Sequence, residues 1–580
     1  MNKLKQEKAP SFMMNVAIIL FAQIMVKILG MVYRIIITNI KDFGDLGNGF
    51  YNAGFQVYTV LLAISSVGIP NAIAKMVSER AAVEDYKGAH NIFKSAFLLF
   101  AVIGFVCSAI LYLGADFIAF HIIKMDGVQY VMRALAPSIF FVCVSSVIRG
   151  YFQGLNNMQA TSRSQMFEQV FKCVLTVMLV LFTVGSMPTI MSIASKVALL
   201  YSGNDSKTPP EIMAAWANAA TSFATLLSFL YLVAFYFKRK EGIMEKVRQT
   251  AVSSLKDSTG RIMKSVLMLS VPISLASIIT AVNRVIDIAT ITRGIEIAFS
   301  NCIPAYGNTA AVFNPTAEQL TTEAARLSGM LSKSDTLINM PLALNVAFAT
   351  VLVPSISGAL AIGDKKNAME KITYSFLISI LLILPCCIGY IVLAQPIYRV
   401  IYPNASLGYD LLALMSVSLI FSALTQTITG ALQGLGKVFI PAIGILAGCI
   451  IKIVLNIILI RQPSINIYGA AISSIVCQIT AFLISFIVLL KYIPLKMPLL
   501  KYIIKPLIAG ILMGIIAFAT YNLMMTITAS NLISTFTAII IAAIIYISLI
   551  FILKIMSKEE VQMLPGGSMI YNLLVKAKIY

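Results

Sequence analysis

The chain has 580 residues, 59% of them hydrophobic and only 12% charged, and its mean hydropathy is +0.89. No water-soluble fold of this length hides such a composition, so a soluble enzyme or binding domain is excluded and a polytopic membrane protein is indicated. The net charge of +20 comes from basic residues spread through loops rather than interleaved with stacking aromatics, which argues for a membrane and against nucleic acid.

Apolar runs of about 20 residues joined by short polar breaks point to helices, because barrel strands would alternate at every second position. Lys3, Lys5 and Lys8 precede a first run too long for a signal-peptide core, and it is read as a retained span. In chain order the predicted spans are 12–38, 50–77, 91–119, 129–152, 165–192 and 212–237. A basic linker follows over 238–264, then spans at 265–292, 334–361, 372–393, 409–434, 438–460 and 469–490, and a last pair at 502–525 and 532–554. The expected fold is all-α and membrane-integral with about 14 helices. It divides into an N-lobe over 1–237, a cytoplasmic linker over 238–264, a C-lobe over 265–490, and a final helix pair with its tail over 491–580. Basic residues gather in alternate loops, at Arg80 and Lys87, in the linker, at Lys365, Lys366 and Lys371, at Lys437, at Lys491, Lys496 and Lys501, and in the tail. By the positive-inside rule both termini are expected in the cytoplasm.

The two sets of six read as copies. IRGYFQGLN at 148–156 aligns without gaps to ITGALQGLG at 428–436, an offset of 280 that also brings Lys172 onto Lys452. GIPNAIA around Pro70 matches LVPSISG around Pro354 at an offset of 284, each expected to end a helix before a charged inner loop. An even number of spans per copy gives both the same orientation, which is the layout of an alternating-access carrier. Pro272, Pro341 and Pro385 either permit bending or are tolerated kinks.

Charge inside the apolar runs selects the candidate site. Lys27 and Arg34 lie two turns apart on one face of the first span, and Lys75 lies near the end of the second. A charge at mid-bilayer costs about 2.5–3.5 kcal/mol, so each either faces a polar interior or snorkels to the headgroups. In the seventh span Arg284 and Asp287 can pair on one face with Asn283 beside them. That group is either part of the site, with Asp287 and Asn283 as the only constellation suited to ion coupling, or a structural ion pair. Lys172 and Lys452 form a repeat-related pair that would line a cavity from two sides, or snorkel symmetrically. His90 and His121 fall in or near loops, so no histidine proton relay is expected. Seven of the eight cysteines lie in apolar runs, and no disulfide, metal or other cofactor is expected. The long loop over 293–333 carries Glu296, Glu318 and Glu323 without a paired-acid motif, so it reads as a connector and the chain as a non-enzyme.

The string G-M-V-Y-R at 30–34, the Gly/Asp-rich stretch after it, which reads as a turn, and G-I-P-N-A-I-A-K at 68–75 resemble the stage V sporulation protein B family. That family lies within the multidrug/oligosaccharidyl-lipid/polysaccharide exporter superfamily and is similar to the lipid II flippases of cell-wall synthesis. The resemblance implies fourteen helices, two six-helix lobes in a V shape, and a last pair offering a groove for a lipid tail. It puts Arg34 and Lys75 where such flippases carry cavity arginines, with lysine replacing one of them. In helix 8 the flippase pattern of an acid then arginine ahead of proline reads here as Asp335 and Thr336 ahead of Pro341, so the arginine is missing. The implied function is a flippase exporting an anionic polyprenyl-pyrophosphate-linked saccharide across the bacterial cell membrane. A cation-coupled multidrug exporter is the alternative, and a membrane-embedded glycosyl- or acyltransferase is less favoured. A cavity lined by Lys27, Arg34, Lys75 and Arg284 attracts phosphate and repels cationic drugs. The expected partners are the polyprenyl-linked saccharide and membrane lipids, with cell-wall synthases as candidates and the chain acting as a monomer.

Overall fold

In hydrocarbon each backbone amide needs a partner within the protein, and a helix supplies one residue by residue. The computed structural model describes residues 12–562 apart from 67, 156, 184–207, 250–257, 306–310, 362–363, 438 and 495–496, together with 571 and 575. The helices that matter to the site are α1 (Phe12–Thr38), α2 (Gly44–Ser66), α3 (Ile69–Ala82), α4 (Tyr86–Leu113), α5 (Val128–Gly154), α6 (Gln159–Thr183), α7 (Pro210–Gln249) and α8 (Thr259–Ala298). They are followed by α9 (Ala317–Ala361), α10 (Lys365–Val392), α11 (Ala394–Ile401), α12 (Tyr409–Gly434), α13 (Phe439–Leu459), α14 (Ile467–Tyr492), α15 (Lys505–Thr528) and α16 (Asn531–Ile552). Among the described residues, eleven stretches are long and apolar enough to cross a membrane, with α2 and α3 counted as one. The long helices α1, α8 and α9 cover the other three expected runs, so the fold is all-α and consistent with fourteen crossings.

Four expectations are corrected. The second span is two helices, and Pro70 opens α3 in its first turn instead of ending a helix, a position where its missing N–H is no loss. The Gly/Asp-rich stretch is the helical start of α2. A Cβ on Gly49 would strike the Ala325 carbonyl and one on Gly329 the Asp45 carbonyl, so the glycines serve close packing of α2 on α9. Asn48 Nδ2 donates to the Gly329 carbonyl across this contact at 3.0 Å. The expected linker is largely helix as well, since α7 runs on to Gln249 and α8 starts at Thr259. Ile243 packs on the core, which gives the charged extension of α7 an apolar face to bury. The connector over 293–333 shrinks because α8 reaches Ala298 and α9 starts at Ala317, burying Ala324, Ala325 and Leu327, with a short antiparallel pairing of Cys302–Ile303 on Val312–Phe313 between them. The end of the predicted fifth span, 184–192, and residues 250–257 of the linker lie outside the described residues.

The chain divides into two compact units, Met1–Gly329 and Met330–Tyr580. In the first, α5 runs through both apolar clusters and is the most buried span. Arg149 on α5 donates to Ser164 Oγ at 2.9 Å and to Glu168 Oε2 at 2.8 Å, both on α6, and to Ser228 Oγ on α7 at 3.0 Å. One buried guanidinium thus ties three helices together through three hydrogen bonds. In the second unit a core of Phe376, Ile428, Leu432 and Leu489 joins α10, α12 and α14. There α15 lays Ala509, Gly510, Met513 and Gly514 inward, with Gly510 and Gly514 against Ile388 of α10, and leaves Leu507, Ile511, Ile515 and Phe518 exposed. Small residues inward and large ones outward are what close helix packing inside lipid requires.

Candidate functional site

Tyr51, Phe55 and Tyr58 stand at i, i+4 and i+7 on α2 and so share one face. Their rings are neighbours in turn, with centroids 6.0 Å and then 5.5 Å apart. Tyr33 of α1 meets this row through a 2.9 Å hydrogen bond between its hydroxyl and that of Tyr51. The Arg34 guanidinium lies over the Tyr51 ring, 4.9 Å from its centroid. From α6, Lys172 Nζ reaches 4.8 Å from the Phe55 centroid and 5.6 Å from that of Tyr33. Arg34 and Lys172, the one on α1 and the other on α6, therefore share a single aromatic platform.

A desolvated cation over a ring gains about 2 kcal/mol, enough to hold two cations at one platform but not to neutralise them. Glu168 precedes Lys172 by one turn, yet its carboxylate is engaged by Arg149. What the arrangement attracts is an anion, with a planar guanidinium fork, an ammonium and tyrosine hydroxyls all able to donate to it.

One further turn along α2, Thr59, Leu62 and Ala63 line an open groove of about 350 Å³ with Ser277, Thr280, Ala281 and Arg284 of α8. Lys27 of α1 is exposed and lies within reach of the Arg284 charge. A second pair of cations therefore accompanies the first within the same unit. Asn283 has a buried Oδ1 without a hydrogen-bond partner among the described residues, while Asp287 is half-buried.

Lys75 is exposed on α3, 24 positions beyond Tyr51. It lies on a different helix from the platform, since α2 ends at Ser66 and α3 starts at Ile69. Lys452 belongs to the second unit, where it is buried on α13. His90 is also buried, in the first turns of α4 beside Phe93 and Tyr151, and not in a loop.

Sequence reasoning missed the rings of Tyr33, Tyr51 and Phe55, together with Arg149 and Lys333. The repeat carried one signal, since Arg149 aligns with Thr429 and so marks a charge present in one copy only. Lys333 is a cation on α9, close to the missing arginine, but it is already engaged. Its Nζ donates to the carbonyls of Ala405 at 2.5 Å and Leu407 at 2.9 Å and lies 5.4 Å from the ring centroids of both Tyr398 and Tyr402. Asp335, two residues on, is exposed.

Comparison with known proteins agrees with this architecture. The polysaccharide biosynthesis protein family matches residues 12–360, and the MatE family matches residues 330–458. The chain is 26% identical over 561 residues to the uncharacterized membrane protein YabM of Bacillus subtilis (strain 168), covering 95% of this chain and 94% of that one. It is 24% identical over 503 residues to the lipid II flippase MurJ of the same organism, covering 84% of each. Stage V sporulation protein B, also from that organism, is 24% identical over 562 residues, which is 96% of this chain and 98% of that one. Among solved structures, the lipid II flippase MurJ in an inward closed conformation has a TM-score of 0.63 at 14% identity, covering 91% of this chain and 97% of that one. A multidrug resistance MATE family transporter in an inward-facing conformation has a TM-score of 0.58 at 12% identity, covering 83% and 98%. With more than half its length matched, the chain belongs to the polysaccharide biosynthesis protein family, and it is a multi-pass membrane protein with the fold of the multidrug/oligosaccharidyl-lipid/polysaccharide superfamily.

Proposed function

We propose that this protein is an alternating-access flippase that turns an anionic, lipid-linked saccharide precursor outward across the cell membrane. The observation that carries the reading is the placing of Arg34 and Lys172 on one aromatic platform, with Lys27 and Arg284 a short way along the same unit. A pyrophosphate leaving water needs such charge-assisted donors, whereas a polyprenyl tail loses nothing by staying in lipid. The exposed apolar face of α15 and α16 suits that tail. The two sequence repeats, over 1–237 and 265–490, would serve as the moving halves, with the 238–264 region and both termini in the cytoplasm. Carrying two negative charges out through an inside-negative potential releases roughly 4–5 kcal/mol per 100 mV, which drives export without a coupling ion. The relatives named as a lipid II flippase and a sporulation protein are in keeping with this substrate class. Within the site, Arg34 and Lys172 hold the phosphate-bearing head, Lys27 and Arg284 form a neighbouring station, and Lys75 a separate one farther along α3.

A cation-coupled drug exporter draws support from the MatE match over 330–458 and from the buried, unpartnered Asn283 Oδ1 near Asp287. The cationic platform disfavours it, because a like charge brought to 4 Å is repelled by roughly 4 kcal/mol even at an effective dielectric of 20. Depletion of the protein followed by chemical identification of the accumulating lipid separates the two readings. A polyprenyl-linked saccharide should build up on the inner face, and unchanged lipid-linked pools together with new sensitivity to cationic drugs would reverse the assignment.

A further inference from the structure

A cavity of about 1370 Å³ in the first unit is distinct from the candidate site above. It opens between the C-terminal ends of α3 and α5, the start of α6 and the second half of α7, and it is lined by Arg163, Lys238, Arg239 and Lys246 with no acidic side chain among its lining residues. Arg163, Lys238 and Arg239 enter no ion pair among the described residues, and Arg239 instead rests on the Phe235 ring at 4.7 Å. The neighbouring acids Glu79, Glu241 and Glu245 lie on the same helices but outside the lining.

The position of this cavity along α7 says what it meets. α7 has 40 residues, about 60 Å of helix, against a hydrocarbon layer of about 30 Å, so its C-terminal part leaves the bilayer. Its apolar sequence stops at Phe237 and turns basic at Lys238, within the cavity wall. Tyr86, Tyr151 and Tyr231 stand in the same wall, the residue type that gathers at the membrane–water boundary. Cations on the wet side, rings at the boundary and apolar helix below it fit one amphiphile with a phosphate head. The volume far exceeds what a free phosphate fills and is at or above that of pockets for drug-sized ligands, about 300–1,000 Å³.

We infer that this cavity is a binding site for the phosphate headgroup of an anionic phospholipid, separate from the candidate transport site and independent of the function proposed for it. Native mass spectrometry of the full-length protein in detergent tests it, with dioleoylphosphatidylglycerol, dioleoylphosphatidylcholine and sodium pyrophosphate as probes. The phosphatidylglycerol should be retained at least about ten-fold more tightly than the phosphatidylcholine and should resist equimolar pyrophosphate. The Arg163→Gln, Lys238→Gln, Arg239→Gln variant should lose that preference. The Lys365→Gln, Lys366→Gln, Lys371→Gln variant, which removes as much charge elsewhere, should keep it. Equal retention of the two lipids, or an unchanged preference in the first variant, would overturn the inference, and displacement by pyrophosphate alone would assign the cavity to a soluble phosphate compound. If the first variant does not fold, photo-crosslinking of a diazirine-bearing phosphatidylglycerol to the wild-type protein decides. Adducts on peptides carrying Arg163 or Lys238 support the site, and adducts confined to other peptides refute it.

Discussion

The guanidinium of Arg34 lies over a tyrosine ring, 4.9 Å from its centroid, and a lysine there keeps the charge but loses the planar group and its paired donors. Arg34→Lys should therefore lower export about ten-fold, the equivalent of one charge-assisted hydrogen bond, with protein levels unchanged. Lys172 shares its platform, so removing both cations should be non-additive, with a coupling between about 0.5 and 3 kcal/mol in a double-mutant cycle read from export rates. Lys75, on α3 and outside the platform, should instead add to Arg34 within about 0.5 kcal/mol. Strong coupling of that second pair would mean that one phosphate touches both. Arg149 has a different role, because its three partners are protein atoms. Arg149→Ala leaves the half-buried Glu168 without its guanidinium and should cost about 1–3 kcal/mol, seen as a lower melting temperature of the purified protein. Arg149→Met with Glu168→Gln should recover part of that loss.

At the scale of elements, hydropathy made the spans legible almost residue for residue, as at 12–38 and 409–434, because the need to satisfy backbone groups in lipid leaves few alternatives. Polar segments were harder to read. The starts of α2 and α9 and the extension of α7 are helices whose sequences look like loops, since glycine and charge weigh against helix until a neighbour packs on them. Gly49→Leu tests this directly. Its side chain would have to displace the Ala325 backbone, so α2 and α9 should separate and the melting temperature fall, by an amount corresponding to about 1–3 kcal/mol, whereas Gly389→Leu, in open space on α10, should change little. The site was half legible for the same kind of reason. Intramembrane cations announce themselves by their cost, but the rings that receive them are ordinary apolar residues, and which helix supplies them is set only by packing. Lys172 was singled out through its repeat partner, and nothing in the sequence tied it to Tyr33 or Phe55.

For the molecule as a whole, the proposed outward movement of an anionic, lipid-linked head would run with the cell's own potential and past the cationic platform of Arg34 and Lys172. Neither Arg34 nor Lys172 is needed to fill the apolar core, so their loss should stop transport without unfolding the protein. The most direct measurement uses cells lacking any redundant flippase and follows how much lipid-linked saccharide becomes accessible to a membrane-impermeant label at the outer face. With the Arg34→Ala, Lys172→Ala variant expressed at wild-type level, the intermediate should remain shielded on the inner face and accumulate there. Wild-type labelling from outside in that variant would contradict the central claim that this pair of cations holds the head group during its passage.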